Sequence, residues 1–312
     1  MKITTIGEIL VDMTQTRVEN GIPHFAAIPG GAPANVAVAA KKLGIGTAFI
    51  GCVGDDLFGA LLRDTLVRSG VSAAGLQVTD KANTTLAIVM VDERGERSFS
   101  FYRKPGADTL IDAEQAIRDL GKTDFLHFGS VSLTDPRCRE AVTAVIRHAK
   151  QAGALITYDP NYRAALWESE ETAVEQMRAV LPLCDIVKIS DEETRLLCGV
   201  PEPAAALEHL AGLGVRLAVV TLGAKGAMWR CGTMTGTVPG FAVKVADTNG
   251  AGDTFFGALL SRVAARGGLD GLTEAEISGF VRFANKAASI TTSRPGAIPA
   301  MPVLAEVEEG LR

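Results

Sequence analysis

The sequence predicts an α/β fold built on a doubly wound, mostly parallel sheet with a small β-sheet lid. Short β-branched runs alternate with amphipathic helical stretches, which is typical of βαβ crossovers. Several of these runs are apolar almost throughout, as expected for strands covered by helices on both faces. Residues 8–28 and 84–103 instead alternate with the period of exposed antiparallel strands. We expect a single domain over residues 1–312 with these two lid segments inserted.

The core elements are predicted in chain order by this alternation. Strands are predicted for ITTIG (3–7), TAFIGCVG (47–54), DFLHFG (124–129), ALITYD (154–159), DIVKIS (185–190) and LAVVTLG (217–223). Helices are predicted for 34–44, 59–70, about 136–150, 168–181, 191–198 and 202–213, and for an apolar stretch that ends near Arg266.

The second lid segment reads as a hairpin. Asp92–Gly95 lies between two alternating runs, where a tight turn is expected. Apolar residues of these strands, such as Ile88, Val89 and Phe99, are expected to be exposed and to offer a surface for a homodimer.

Composition excludes several classes of protein. The 31 basic and 36 acidic residues give a net charge of −5, which argues against a nucleic-acid or anionic-membrane partner. The five cysteines are scattered and form no C-x-x-C pair, as in a reducing compartment. The N-terminus does not read as a signal peptide, and the longest uncharged run, 25–40, is too short to span a bilayer. We expect a cytoplasmic protein.

The most informative segment for chemistry is DTNGAGDTFFGALL (247–260). Gly250, Ala251 and Gly252 open a helix with small side chains, so the first backbone N–H groups and the helix dipole are available to an anion. Asp253 follows in the first turn, where it either caps the helix or faces the same space. A carboxylate beside an anion site suits phosphoryl transfer to a hydroxyl group.

A second glycine-rich segment, 28–44, precedes a helix that is also expected to contribute to a site. Gly31 permits close approach of the backbone to a ligand, and Asn35 offers an amide to hydroxyl groups. Asp12, expected to follow the first strand, and Arg163, after the strand at 154–159, add a carboxylate and a planar donor.

Other nucleotide-binding and catalytic motifs are incomplete. The G-x-G-x-x-G pattern fails because Phe49 and Phe255 stand where the last Gly belongs, which disfavours a nicotinamide-dependent oxidoreductase. Gly121-Lys122-Thr123 lacks the first Gly of a P-loop. The sequence has no H-E-x-x-H or G-x-S-x-G motif, and its four histidines are dispersed.

Two segments together resemble the signature motifs of the ribokinase-like (PfkB) carbohydrate kinases. These are GGAPANVAVAAKKLG (30–44) and DTNGAGDTFFGALL (247–260), in the expected order. Within the family the chain is similar to the fructokinases in GERSFSFYRKPGAD (95–108) and YDPNYRAALW (158–167). The 2-keto-3-deoxygluconate kinases usually carry Glu where Pro33 stands, whereas aminoimidazole riboside kinases share much of 95–108.

The resemblance implies an ATP-dependent kinase with a Rossmann-like core and a lid over the sugar. It implies that Asp253 is the general base and that Gly250, Ala251 and Gly252 form the anion hole. Sugar contacts are implied for Asp12, Gly31, Asn35, Phe101 and Arg163, with Asp159 and Asn161 supporting them. ATP contacts are implied for Lys188, Thr221, Gly223 and Gly226, with Asn285 near the adenine.

Two departures from the family pattern concern metal ions. The N-x-x-E motif that organises the Mg²⁺-bound phosphates reads Ser190-Asp191-Glu192-Glu193, so Glu193 is retained and Asn is replaced. Asn249 stands where Thr is usual. Asp247 and the carbonyls around Asn249 and Gly296 resemble a monovalent-cation site, which leaves K⁺ dependence open.

These observations favour an ATP-dependent kinase for the primary hydroxyl of a hexose, with fructose converted to fructose 6-phosphate. Two other acceptors remain open, namely 2-keto-3-deoxygluconate and an aminoimidazole riboside or similar nucleoside. A remote alternative from another class is a sensing module that binds sugar or nucleotide without turnover.

Overall fold

The computed structural model describes residues 1–91 and 97–312. In chain order its strands are β1 (Lys2–Ile6), β2 (Leu10–Glu19), β3 (Ile22–Gly30), β4 (Gly46–Gly54), β5 (Ser72–Thr79), β6 (Leu86–Val91), β7 (Arg97–Tyr102), β8 (Phe125–Gly129), β9 (Leu155–Asp159), β10 (Ile186–Ser190), β11 (Leu217–Thr221), β12 (Ala227–Cys231) and β13 (Met234–Val238). The helices are α1 (Ala32–Lys42), α2 (Leu57–Arg68), α3 (Ala113–Leu120), α4 (Pro136–Gln151), α5 (Glu170–Ala179), α6 (Thr194–Cys198), α7 (Pro203–Gly212), α8 (Ala251–Arg266), α9 (Glu274–Thr292) and α10 (Leu304–Glu309).

A nine-stranded sheet forms the body of the molecule, in the order β13-β12-β11-β10-β9-β8-β1-β4-β5. The seven strands from β11 to β5 pair in parallel, while β12 and β13 add an antiparallel edge. Because parallel neighbours end at the same edge, the carboxyl ends of β1, β8, β9 and β10 meet there. This edge positions the site described below.

Helices cover both faces of the large sheet, so the side chains of one strand alternate between two cores. Leu126 and Phe128 of β8 pack with apolar residues of α4, α5 and α7 on one face. Phe125 of the same strand packs with Phe256 and other residues of α8 and α9 on the opposite face. The predicted α/β, doubly wound and mostly parallel architecture is confirmed.

A separate four-stranded sheet, the lid sheet, has the order β3-β2-β6-β7. Its strands come from the two segments that the alternating pattern singled out. The hairpins β2–β3 and β6–β7 are antiparallel, but β2 and β6 pair in parallel where the two segments meet. The predicted turn at Asp92–Gly95 and the side chain of Phe99 lie outside the described residues.

Asp12 follows β1, as expected, and lies in lid strand β2, within the predicted lid segment 8–28. One expectation about the lid is wrong, because Val89 is not exposed. Its side chain is 5% exposed and lines a cavity, since it points to the inner face of the lid sheet. Within the described ranges, no helix has the length and apolar content needed to cross a bilayer.

Candidate active site

A cavity of about 530 Å³ lies between the lid sheet and the carboxyl edge of the large sheet. We call it the lid cavity. The lid contributes its inner face, and the body contributes the N-termini of α1 and α8 together with the segment after β9. The residues singled out from the sequence that line it are Asp12, Gly31, Asn35, Phe101, Asn161, Arg163, Lys188, Asp247, Asn249, Gly250, Gly252 and Asp253.

Asp253 is a buried carboxylate on the wall of this cavity, in the first turn of α8. The amide Nδ2 of Asn35 donates a hydrogen bond of 2.8 Å to its Oδ2, and Nδ2 of Asn161 lies 3.5 Å from its Oδ1. Burial raises the pKa of Asp253, and the Asn35 hydrogen bond opposes that rise. The two amides orient the carboxylate and leave it able to accept a proton.

The N-terminus of α8 requires small residues. Gly250 caps the helix in the left-handed conformation with φ 72°, and a Cβ there would lie 2.8 Å from the Cβ of Ala297. A Cβ on Gly252 would lie 3.1 Å from Nζ of Lys188. The N–H of Ala251 donates to the carbonyl of Thr248 at 3.3 Å. The next N–H groups are therefore the ones that helix geometry leaves for an anion.

Lys188 brings a positive charge to this helix terminus. Its Nζ donates a buried hydrogen bond of 2.7 Å to Oδ2 of Asp159, which pairs β10 with β9. Burial opposes its charge, but Asp159 and the further carboxylates Glu193 and Asp253 raise the pKa of Lys188, so the amine is protonated. Lys188 lines the lid cavity rather than the second cavity described below, and Asp159 lies behind it.

The remaining lid-cavity residues come from opposite sides of the opening. Asp12 and Phe101 project from the lid strands β2 and β7, and burial raises the pKa of Asp12 to about 6. Gly31 caps α1 with φ 112°, and a Cβ there would approach the carbonyl of Glu8 to 2.5 Å. Arg163 is an exposed donor whose Nη1 contacts the carbonyl of Tyr162 at 3.1 Å.

A second cavity of about 670 Å³, the apolar cavity, lies on the other side of the α8 N-terminus. Thr221, Gly223, Gly226 and Asn285 line it, and Nδ2 of Asn285 donates to the carbonyls of Val238 and Pro239 at 3.2 and 3.1 Å. Its other walls include Phe241, Val243, Val245, Phe255 and Ser289. Thr248 and Gly252 line both cavities, so the two meet at the helix terminus.

Glu193 belongs to neither cavity wall and is already satisfied by hydrogen bonds. Its Oε1 accepts the N–H of Tyr162 at 2.8 Å, and its Oε2 accepts both the N–H and the hydroxyl of Ser190 at 2.8 and 3.1 Å. The side chain therefore braces the turn after β10 against the segment after β9. This geometry fits an indirect role better than direct coordination of a metal.

Asp247 is held by the backbone on both sides of the α8 N-terminus. Its Oδ1 accepts the N–H of Asn249 at 3.0 Å, and its Oδ2 accepts the N–H of Gly296 at 3.1 Å. Within residues 1–91 and 97–312, no group of three or more His, Cys, Asp or Glu residues is arranged to hold a metal ion.

Sequence reasoning missed one charged residue of the lid cavity, Glu8. It is 2% exposed, and its Oε1 accepts the N–H of Ala32 at 3.1 Å. An acidic residue directly after a buried apolar strand was the available clue. The apolar walls Phe241, Val243 and Val245 were missed because that stretch forms no helix or strand.

Comparisons with known proteins agree with this geometry. The sequence model of the pfkB family carbohydrate kinases matches residues 1–304. Probable fructokinase-4 of Arabidopsis thaliana is 40% identical over 321 residues, covering 99% of this chain and 96% of its own.

Two solved structures extend the similarity to three dimensions. Fructokinase from Xylella fastidiosa with bound ATP superposes with a TM-score of 0.91 at 36% identity, covering 99% of this chain and 97% of its own. Fructokinase from Vibrio cholerae O395, in a form with fructose, ADP and calcium ion bound, superposes with a TM-score of 0.89 at 34% identity. The match covers 100% of this chain and 99% of the fructokinase chain.

Proposed function

The chain belongs to the pfkB family of carbohydrate kinases, and from that premise we propose that it transfers the γ-phosphoryl group of ATP to the primary 6-hydroxyl of fructose. The observation that carries the proposal is the position of Asp253. It is a buried carboxylate in the first turn of a glycine-opened helix, at the junction of two cavities. The relatives named fructokinase favour fructose as the acceptor.

Each cavity suits one substrate. The lid cavity carries carboxylates, amides and Arg163, which are the groups that hydrogen-bond the hydroxyls of a sugar. The apolar cavity has glycines and a wall of Phe241, Val243 and Val245, which suits a purine ring and its ribose. In this arrangement the phosphates of ATP reach the lid cavity past Thr248 and Gly252.

The chemical step follows from these positions. The sugar hydroxyl attacks the γ-phosphorus, the new O–P bond forms, the bond to the β-phosphate oxygen breaks, and the hydroxyl proton passes to Asp253. Asn35 keeps the carboxylate oriented towards the hydroxyl. The N-terminus of α8 and the ammonium of Lys188 offset the negative charge on the transferring group.

The proposed reaction involves two kinds of metal ion. Mg²⁺ arrives with ATP as part of the substrate, and Glu193 supports it indirectly by holding the turn after β10. A monovalent cation such as K⁺ would be held by Asp247 and the backbone carbonyls around Asn249 and Gly296, since the N–H groups of Asn249 and Gly296 bring these segments to the carboxylate. When bound, it would supply positive charge beside the anion hole.

The lid sheet gives the site a way to exclude water. Closure of the lid over the sugar would keep water from taking the phosphoryl group in place of the hydroxyl. Met90 and Tyr102 alternate with the cavity-lining Val89 and Phe101, so they lie on the outer face of the lid, where they are 45% and 66% exposed. We propose that two copies pair through this face. Light scattering tests this: a dimer mass supports the pairing, and a monomer mass contradicts it.

The cysteines support a location in a reducing compartment, which we propose is the cytoplasm. Cys52, Cys138, Cys184 and Cys198 are buried free thiols, and Cys231 is a half-buried one. Labelling the cysteines in native cells and finding them oxidised to disulfides would contradict this location.

An acceptor panel tests the proposed activity. We expect ADP release from ATP with fructose, and much slower release with 2-keto-3-deoxygluconate or aminoimidazole riboside. A preference for either of those compounds would overturn the choice of sugar while leaving the kinase chemistry in place. Binding of fructose and ATP without any ADP release would support the sensing module instead.

A further inference from the structure

Four chain segments connect the lid sheet to the body, and each contributes to one buried polar cluster. Glu8 lies between β1 and β2, and the N–H of Ala32 follows β3. Thr85 precedes β6, and Arg103 follows β7, with Asp108 five residues later. We call these groups the root cluster, because the lid joins the body there.

One half of the root cluster is a buried ion pair. Nε of Arg103 donates 2.7 Å to Oδ2 of Asp108, and the two side chains are 6% and 1% exposed. The hydroxyl of Thr85 donates to the other oxygen of Asp108. Arg103 also donates to the hydroxyl of Thr134 and the carbonyl of Val131, at 2.7 and 3.1 Å. These bonds anchor the connections to β6 and β7.

Glu8 forms the other half and connects the lid to the proposed base. Its Oε1 holds the N–H of Ala32, the first residue of α1. One turn later on that helix, Asn35 donates to Asp253. Asp12, which follows Glu8 by four residues, lines the lid cavity from β2. Glu8 therefore stands between a residue of the lid and a residue that orients Asp253.

The second oxygen of Glu8, Oε2, is buried and has no hydrogen-bond partner in the part of the chain that the structure describes. The pKa of Glu8 is raised to about 7. Burial is the main cause and the charge of Asp108 adds to it, while backbone hydrogen bonds and the charge of Arg103 act in the opposite direction. Cys138 of α4 also faces the cluster, and burial raises the pKa of its thiol so far that it stays neutral. Below about pH 7 most of the Glu8 carboxyl groups therefore carry a proton, beside the ion pair of Arg103 and Asp108.

We propose that Glu8 is a positioning residue, which joins the root of the lid to the first turn of α1 and so holds Asp12 and Asn35 in place for binding the sugar. The inference rests on the proposed binding of fructose in the lid cavity. When Glu8 loses its proton, the root cluster holds a second carboxylate in addition to that of Asp108. Arg103 is the single cation of the root cluster, so it cannot neutralise both. Repulsion between them loosens the root, so the sugar binds less well while the bound sugar still reacts.

The test is a pH profile of KM and kcat for fructose in the wild type and Glu8→Gln. The amide of Gln keeps the acceptor for Ala32 and cannot ionise. In the wild type, KM is expected to rise about tenfold per pH unit above the pKa of Glu8, with kcat unchanged. In Glu8→Gln this rise is absent, and KM stays within about threefold of the wild-type value measured at acidic pH.

Two further variants distinguish a positioning role of Glu8 from the general effect of removing a carboxylate. Glu114→Gln removes an exposed carboxylate on α3 and is expected to keep the wild-type profile. Glu8→Ala removes the link to Ala32, so KM is expected to rise at least about tenfold at every pH with kcat nearly unchanged.

The outcomes distinguish the inference from the proposed function. A wild-type KM that is flat through neutral pH, or a Glu8→Gln profile that retains the rise, would overturn the positioning role. A Glu8→Ala enzyme with the KM of the wild type would also overturn the positioning role. Absence of fructose phosphorylation at any pH would contradict the proposed function, and the inference would fall with it.

Discussion

At the scale of single residues, the site depends on Asp253 and the amide that holds it. The 2.8 Å hydrogen bond from Asn35 crosses from α1 to α8, so two glycine-opened helices meet at one carboxylate. The sequence motifs predicted both residues, because each lies just after a run of small residues. The contact between them could not be predicted, since 218 residues separate them in the chain.

Replacement of the proposed base, Asp253, gives the first prediction. Asp253→Asn keeps the shape of the side chain but removes its ability to accept a proton. We expect kcat to fall about a thousandfold, equivalent to about 4 kcal/mol, with KM for fructose and ATP little changed. An ADP-release assay measures this, and an unchanged kcat would remove Asp253 from the role of base.

The anion hole gives a second prediction. Gly252→Ala places a methyl group 3.1 Å from Nζ of Lys188, so either the amine or the helix terminus must move. We expect kcat to fall about tenfold to a hundredfold while the fold remains intact. Gly279→Ala on α9, where nothing lies within 4 Å of the added Cβ, is the matched control and should keep full activity. Equal activity of the two variants would argue against close approach of phosphate to Gly252.

The ion-pair partner of Lys188 could not be predicted from the sequence. The pattern placed Lys188 on β10, and the resemblance implied a contact with ATP. The structure shows its pairing with Asp159 and its position in the lid cavity, and the contact with ATP stays a prediction. That pairing depends on the adjacency of β9 and β10, which a motif search does not supply.

At the scale of elements, the strands of the parallel sheet were the easiest to predict. Buried strands such as β8 and β11 are mostly apolar, with His127 and Thr221 as the exceptions, so their sequence differs sharply from the flanking turns. Strand β5 was not predicted, because three of its eight residues are exposed at the sheet edge and it contains Gly75. Strands β12 and β13 were also not predicted, because they follow a glycine turn at Gly226 without an intervening helix.

The ion pair between β9 and β10 gives a prediction at this scale. Lys188→Met leaves the buried carboxylate of Asp159 without its cation, so the free energy of unfolding is expected to fall by about 3–5 kcal/mol. The double variant Lys188→Met/Asp159→Asn should recover much of that loss, because no unpaired charge remains. Urea unfolding measures both. A single variant as stable as the wild type would show that the pair does not hold the strands together.

At the scale of the whole molecule, function depends on two sheets with different roles. The large sheet places Asp253, Lys188 and the helix termini at one edge, and the lid sheet forms the opposite wall of the cavity. The lid was predictable because its strands alternate polar and apolar residues, whereas the core strands do not. The parallel pairing of β2 with β6 was not predictable, because it joins segments that are distant in the chain.

The pH dependence of turnover belongs to this scale, because burial between the two sheets sets it. Burial raises the pKa of Asp253 above the usual range of an Asp. The protonated carboxyl group cannot accept a proton, so kcat should be lost as the pH falls through this raised pKa and restored as the pH rises. Steady-state kinetics at saturating fructose and ATP measure this. A kcat that stays constant down to about pH 4, the pKa range of an exposed Asp, would contradict the raised value.

Identification of the product tests the central claim most directly. The chain is incubated with fructose and MgATP, and the phosphorylated sugar is examined by ³¹P and ¹³C NMR. We predict fructose 6-phosphate from the wild type and no detectable sugar phosphate from Asp253→Asn over the same period. Phosphate on a different hydroxyl, or the same amount of product from both proteins, would contradict the account.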